Sequence, residues 1–535
     1  MLFAVRSATA LHRLLDVMPV FHGDHRIHRR FVLVPGSDFG VGALAALEQA
    51  GARTVAWDEA VASRYDLVVA ASPKGRLELL DGPLVLMPHG AGFNKAVEEG
   101  GSADSASGLD PSYLMRDGRP LAAVHALAHG RQIERIAAAC PRAARRGVVV
   151  GDPTLDRILT STGLRDRYRA ALGTGARRLV VVASTWGPES LIRRRPGLAA
   201  ELVGALPYDG WQVAVVVHPN EFSEVGAYDL RLTLGPALDA GAVLARPYEE
   251  WGALLVASDV VVTDHGSAAL YAAALDRPVV GAYDGGRELI EGSPMARLLG
   301  AVPAFGGARE LDRVVREHRA GGVRAYTRGA FACEGESLER LRAEVYRLLG
   351  LDPPGYPAEP RPLPVPTGWG PAPGGPGAVP AAFAVRAAVD GRTVDVERYP
   401  AAAEADVDVD HLAAEDDLAG VRQRQSAALL YRRAEPADGA AAWAARTLAA
   451  FPGCRTAAVV RSPERFVVRR RDGEVYDVAA ERRHRADPAA LLSGVHAWLE
   501  RGARPGGGGG GLGGSGEVWC VVGGRRVSLR LSPRP

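Results

Sequence analysis

Cysteine is scarce in this chain. The 535 residues include four, Cys140, Cys333, Cys454 and Cys520, and none forms a Cys-x-x-Cys pair or joins a histidine cluster. Such spacing argues against a disulfide framework and against a metal site, so no metal or cofactor is expected and a reducing cytoplasmic setting is. Long apolar runs are also missing. The opening MLFAVRSATALHRLLDVMPVF is interrupted by Arg6, His12, Arg13 and Asp16, which leaves no signal-peptide core, and no later run is long enough to cross a bilayer. Charge of one sign is lacking too. Lys and Arg together number 64 against 62 Asp and Glu, a net +2. That balance gives no reason to expect a nucleic-acid surface, and the runs Arg193–Arg195 and Arg469–Arg471 read as solvated faces. Lysine is rare beside arginine, and the Ala-, Arg-, Gly- and Pro-rich composition is that of a high-GC, actinobacterial-type genome. No fixed-period repeat occurs.

What remains is an ordinary globular composition, 47% apolar and 24% charged, in a chain too long for one core. Short apolar runs at Phe31–Pro35, Thr54–Trp57, Asp66–Ala71 and Pro83–Pro88 alternate with helical patterns such as Gly42–Ala50. They predict a parallel sheet covered on both faces over residues 1–146. A second such lobe is expected over 147–351. Its strands are Arg178–Thr185, Trp211–His218, Ala242–Ala245, Asp259–Thr263 and Pro278–Tyr283. Its helices are Glu189–Leu206, Glu249–Ala257, Ser267–Leu275 and Glu336–Leu349. Two βα lobes in tandem imply two Rossmann-like domains with a cleft between them. Residues 352–381 are dense in Pro and Gly and read as a semi-rigid linker. Residues 382–535 read as a small α+β accessory module, with the glycine tract Gly506–Gly511 as a flexible loop. That tract is no phosphate loop, because no Lys-Ser/Thr pair follows it.

Ligands of open parallel sheets bind at the carboxyl ends of the strands, and polar residues follow several predicted strands. His89 ends a strand beside Gly90, with Asn94 and Lys95 close behind, and an imidazole there can serve as a general base. Asp152–Pro153 begins a helix, with Thr154 and Asp156 in its first turn. Ser184–Thr185 and His218–Pro219 end the next two strands. The most informative stretch is Asp264–His265–Gly266–Ser267. A strand runs into it and an Ala-rich helix leaves it. The amides of Ser267 and Ala268, a small residue at Gly266 and the Ser267 hydroxyl make an anion site, and capping by Asp264 or Ser267 is compatible with it.

Together the motifs His89–Gly90, Gly151–Pro153–Asp156, Ser184–Thr185–Trp186, His218–Pro219, Thr263–Asp264–Ser267 and Arg277–Pro278, in that order, resemble the CDP-glycerol glycerophosphotransferases that polymerise teichoic acids. The resemblance covers residues 80–300 best and leaves out the C-terminal module. It implies a two-lobed GT-B glycosyltransferase-like fold, no obligatory metal, and a nucleotide-diphosphate-activated polyol or sugar as donor, CDP preferred. By that implication His89 deprotonates a hydroxyl acceptor, which can be lipid-linked at the inner membrane face, where the protein would be peripheral. Gly90, Asn94 and Lys95 lie on the acceptor side. His218, Thr185, Asp264, His265, Gly266, Ser267 and Ala268 hold the donor pyrophosphate. The chain departs from the family at Met87–Pro88 (Trp in the family), Ala91–Gly92 (Thr-Pro), Val217 (Arg) and His265–Gly266 (Tyr-Ser). A GT-B glycosyltransferase or an enzyme like the UDP-N-acetylglucosamine 2-epimerases is the alternative, although such epimerases place Asp-Ser-Gly-Gly at Asp264–Ser267. A non-catalytic nucleotide-binding scaffold is the third reading, and the presence of both histidines argues against it.

Overall fold

The computed structural model describes residues 1–37, 40–96, 109, 111–247, 249–368, 379–403, 407–437, 439–502 and 516–534. The glycine tract 506–511 lies outside them. The first sheet is formed by β1 (Leu2–Val5), β2 (Arg30–Leu33), β3 (Thr54–Val55), β4 (Val68–Ala70), β5 (Leu84–Leu86), β8 (Val124–Leu127) and β9 (Gly147–Val149). A small hairpin, β6 (Met115–Arg116) and β7 (Arg119–Pro120), precedes β8. The seven strands run parallel in the order β3-β2-β1-β4-β5-β8-β9. Successive side chains point to opposite faces, so Phe3, Val5, Val69 and Val85 enter one core and Leu2, Ala4, Val68 and Leu84 the other. Neither face meets water, which is why these strands read as unbroken apolar runs.

The second sheet is formed by β10 (Arg178–Ser184), β11 (Trp211–Val217), β12 (Val243–Leu244), β13 (Val260–Thr263) and β14 (Val279–Gly281), parallel in the order β12-β11-β10-β13-β14. In both sheets the order of the strands reverses beside the first strand. Open α/β sheets take their ligands at that crevice.

Three expectations need correction. Residues 147–149 do not open the second lobe, because β9 pairs with β8 and completes the first sheet. The last helix of the predicted second lobe, Ser337–Leu349, packs its Leu338, Leu341, Val345 and Tyr346 into the first lobe's core beside Phe3 and Leu14. The chain therefore returns to the first lobe after building the second sheet. Finally, the single helix expected over Glu189–Leu206 is two, Leu191–Arg194 and Leu198–Ala205. Arg195 precedes Pro196 and is pushed out of the helical region, at φ −137°, ψ 66°.

The C-terminal module is a closed barrel and not an α+β sheet. Its nine strands are β15 (Ala382–Asp390), β16 (Thr393–Pro400), β17 (His411–Glu415), β18 (Leu429–Arg432), β19 (Thr456–Ser462), β20 (Arg465–Arg470), β21 (Val475–Ala480), β22 (Gly516–Val522) and β23 (Arg525–Pro533). Closure depends on β22 pairing with β16 and β23 with β21, contacts remote in sequence. The helix Pro488–Glu500 has ten of its thirteen residues buried and shares the inner core with Phe383, Val396, Phe466 and Leu529. The helix Ala440–Ala450 packs on the outward residues Leu430, Val459 and Val467. Residues 352–368, read as linker, dock on the lobes: Tyr168 donates to the Leu363 carbonyl at 2.7 Å, and the Thr367 amide to Glu250 at 2.7 Å. Among the described residues no helix is long and apolar enough to cross a membrane.

Candidate functional site

The carboxyl ends of the two sheets face each other across a cleft of about 540 Å³. From the first lobe come Arg6 and Ser7 after β1, Ser72 and Lys74 after β4, and His89 to Lys95 after β5. The second lobe brings Thr185 and Trp186 after β10, His218 and Asn220 after β11, and His265 to Ser267 after β13.

His89 and His218 are held in opposite tautomers. His89 Nδ1 lies 3.1 Å from the Ala71 carbonyl, which can only accept, so the proton is on Nδ1 and Nε2 keeps its lone pair. His218 Nδ1 lies 3.1 Å from the Asn220 amide, which can only donate, so Nδ1 carries the lone pair and Nε2 the proton. Local sequence dictates the second arrangement. Pro219 starts the helix Pro219–Val225, and His218 is its N-cap. Burial among the cleft walls, with the charges of His89 and Lys95, pushes the His218 pKa down to about 3. The His89 pKa is lowered as well, first by the surrounding protein and then by Arg13 and Lys74, against the opposing Ala71 bond. Both rings are neutral at pH 7. One presents an acceptor and the other a donor.

Asp264 is wholly buried, and its carboxylate is engaged by main-chain amides. Its carboxylate accepts from the amides of Thr185 (2.9 Å), Leu191 (2.8 Å) and Gly266 (2.9 Å). Burial raises its pKa, and His265 and the three amides oppose the rise. A carboxylate would also repel a phosphate, so its part is to hold the loop after β10 against the loop after β13. His265 is turned away in the same manner. Its Nε2 is 3.0 Å from Glu288, and its ring has no exposed side-chain surface. Gly285, at φ +83°, makes room for that ring, since a Cβ there would come within 2.3 Å of it.

Gly266 and Ser267 remain at the cleft. A Cβ at Gly266 would crowd Asp264 and Thr185 at 3.1 and 3.2 Å, so glycine is needed for the loop to close on itself. Ser267 stands at the N-cap of the helix Ala268–Ala274, but its hydroxyl makes no capping bond. Across the cleft, Gly90 approaches so closely that a Cβ there would be 3.5 Å from the Ser267 Oγ. Thr185 and Ala268 also line the crevice.

Asn94 and Lys95 act between the lobes. The Ala96 amide donates to the Glu288 carbonyl at 2.8 Å and the Ile290 amide to the Asn94 carbonyl at 2.9 Å. The Met295 amide reaches Asn94 Oδ1 at 3.4 Å, and Lys95 Nζ lies 2.7 Å from Glu288.

A second interlobe tie was not anticipated. Arg13, on the helix Ala8–Asp16, donates to both oxygens of Asp152 at 2.8 and 2.9 Å and to the Tyr271 hydroxyl at 3.1 Å. All three side chains are buried. Asp152 also caps the helix Pro153–Thr160 through the Leu155 amide at 2.9 Å, as its sequence context implied. An arginine within the apolar stripe of Ala10, Leu11 and Leu14 was the available signal. Lys74 follows a predicted strand and was open to the strand-end argument. Among the described residues no group of three or more His, Cys, Asp or Glu side chains is placed to hold a metal ion.

No family model and no curated protein matches the chain. Among solved structures it is similar to the wall teichoic acid polymerase TagF, with 13% identity and a TM-score of 0.46 over 65% of this chain and 89% of that one. It is similar to Anabaena HepE in complex with UDP and glucose, at 16% and 0.39 over 65% and 98%. The UDP-GlcNAc 2-epimerase of Neisseria meningitidis, bound to UDP-GlcNAc, gives 12% and 0.42 over 65% and 98%.

Proposed function

We propose that the chain is a transferase that moves a polyol-phosphate group from a CDP-activated donor to a hydroxyl acceptor, as in the synthesis of teichoic-acid-type polymers. The observation that carries this reading is the pair of opposed tautomers. A transfer of this kind needs an acceptor for the incoming hydroxyl's proton and a donor for the charge that develops on the leaving nucleotide. His89 Nε2 supplies the first and His218 Nε2–H the second. The acceptor oxygen attacks the donor's β-phosphorus while its proton passes to His89. The new P–O bond forms as the pyrophosphate P–O bond breaks, and CMP leaves. Ser267 and Ala268 line the same crevice as His218, and their amides and the Ser267 hydroxyl offer donors for the pyrophosphate oxygens. Arg6 and Lys74 give the acceptor wall positive charge. CDP as the nucleotide follows from the ordered motifs, and a lipid-linked acceptor would place the protein at the membrane surface.

Thermal shift with CDP, UDP and ADP tests the donor, and CDP should stabilise the chain most. Preference for UDP would favour a sugar-nucleotide enzyme, and no shift at millimolar nucleotide would remove the enzymatic reading. His89→Ala should lower turnover of CDP-glycerol by about 10²–10⁴-fold with CDP affinity kept. Unchanged turnover would show that His89 is not the base.

A further inference from the structure

Of the chain's 64 basic residues only Lys74 and Lys95 are lysine, and both line the cleft. In a composition that uses arginine almost everywhere else, each lysine asks what an ammonium does there that a guanidinium would not. At Lys95 the answer is visible. Its Nζ is 2.7 Å from the Glu288 carboxylate and 2.8 Å from the Trp186 carbonyl, and lies 4.4 Å from the centre of the Trp186 ring. Gly187 lies beside it, where a Cβ would stand at ordinary contact distance, 3.5 Å, from Nζ. A compact ammonium with three hydrogens satisfies acceptors in different directions. A planar guanidinium needs them in its plane and needs more room.

These contacts join the lobes at the reacting centre. Lys95 belongs to the first lobe, and Glu288 and Trp186 to the second. The Trp186 indole is 6.3 Å from the His218 imidazole, at an interplanar angle of 35°. The antiparallel bridge between Lys95 and Leu289 fixes the Lys95 backbone against the second lobe. We propose that Lys95 is a positioning residue: it sets His218 through Trp186 when the lobes are together, and arginine cannot replace it. The proposal rests on the transferase reading for its effect on turnover, but two of its tests need no substrate.

The tests use the full chain with Lys95→Met, Lys95→Arg and Glu288→Gln. Hydrogen exchange at the Ala96 and Ile290 amides should quicken in Lys95→Met and Lys95→Arg, and the His218 ring signals should move in the NMR spectrum. Glu288→Gln, which keeps the shape and removes the charge, should move both in the same direction by less. With donor and acceptor, kcat should fall about ten- to hundredfold in both lysine variants, with CDP affinity within about threefold of wild type. Wild-type kcat in Lys95→Arg would overturn the proposal by showing that charge alone suffices. Loss of CDP affinity in step with kcat would overturn it by making Lys95 a donor contact. Unchanged exchange and unchanged His218 signals would overturn it whatever the reaction proves to be. Failure of the wild type to use any CDP-linked donor, with the two substrate-free effects present, would strike the transferase reading and leave the coupling of Lys95 to His218 standing.

Discussion

His89 and His218 differ in what the backbone leaves them. Each ring gives its Nδ1 to a main-chain group, a carbonyl for His89 and an amide for His218. The tautomer therefore follows from the strand-end loop. Both histidines were legible as strand-end residues, but their tautomers were not, because a sequence does not say which backbone atom a ring will meet. The Lys74 charge contributes to the lowered His89 pKa. Removing it in Lys74→Met should raise that pKa. A base works in its neutral form, so the acid limb of the kcat/KM profile should move to higher pH, and Lys74→Arg should leave it nearer wild type. A pH profile of the three proteins checks this, and a limb that stays in place would separate Lys74 from His89.

At the scale of elements, the site is two loops tied together by a carboxylate. Asp264 collects amides from the loop after β10 and from the start of the next helix. Asp264→Ala would strand three buried donors, and each such loss costs about 1–3 kcal/mol. Partial relaxation should hold the total destabilisation to about 3 kcal/mol, measured by urea unfolding, and nucleotide binding should be lost with it. The strand end and helix start at Asp264–Ser267 were readable from β13 running into Asp-His-Gly-Ser. The inward turn of Asp264 and His265 was not, because their partners Leu191, Thr185 and Glu288 lie 23 to 79 residues away. Among the barrel strands, β17 (HLAAE) is Ala-rich and carries no strand signal. In β23 the alternation of Val527, Leu529 and Leu531 with Arg526, Ser528 and Arg530 is plain only once its inner face is known.

For the whole molecule, the barrel is fixed to the second lobe at the end opposite the cleft. Arg398 has no exposed surface and donates to both oxygens of Asp209, at 2.8 and 2.7 Å, and to Asp487 at 2.9 Å. Its guanidinium lies 4.3 Å from the Phe383 ring centre. Asp209 precedes β11 and Asp487 caps the inner helix of the barrel, so one side chain binds two domains. Burial tends to raise the Asp487 carboxyl pKa, but Arg398 and Arg433 hold it well below the usual carboxylate range. Arg398→Ala would leave two carboxylates at the seam without their shared cation. It should cost about 3–5 kcal/mol in the thermal unfolding of the full chain. Turnover at the cleft should be nearly unchanged below the melting range, because β10 and β11 separate the two ends by about 20 Å. A loss below about 1 kcal/mol would mean that the seam is wet.

By itself the sequence determined the two parallel sheets, the strand ends that carry His89, Thr185, His218 and Ser267, and the helix start after Ser267, because apolar runs and helix signals are local in cause. The tertiary structure alone decided that β9 and the helix Ser337–Leu349 belong to the first lobe, that nine strands close into a barrel, and that Lys95 and Arg13 tie the lobes together. Each of these depends on contacts between residues far apart in the chain, and a side chain's partners are set by packing that no local pattern records.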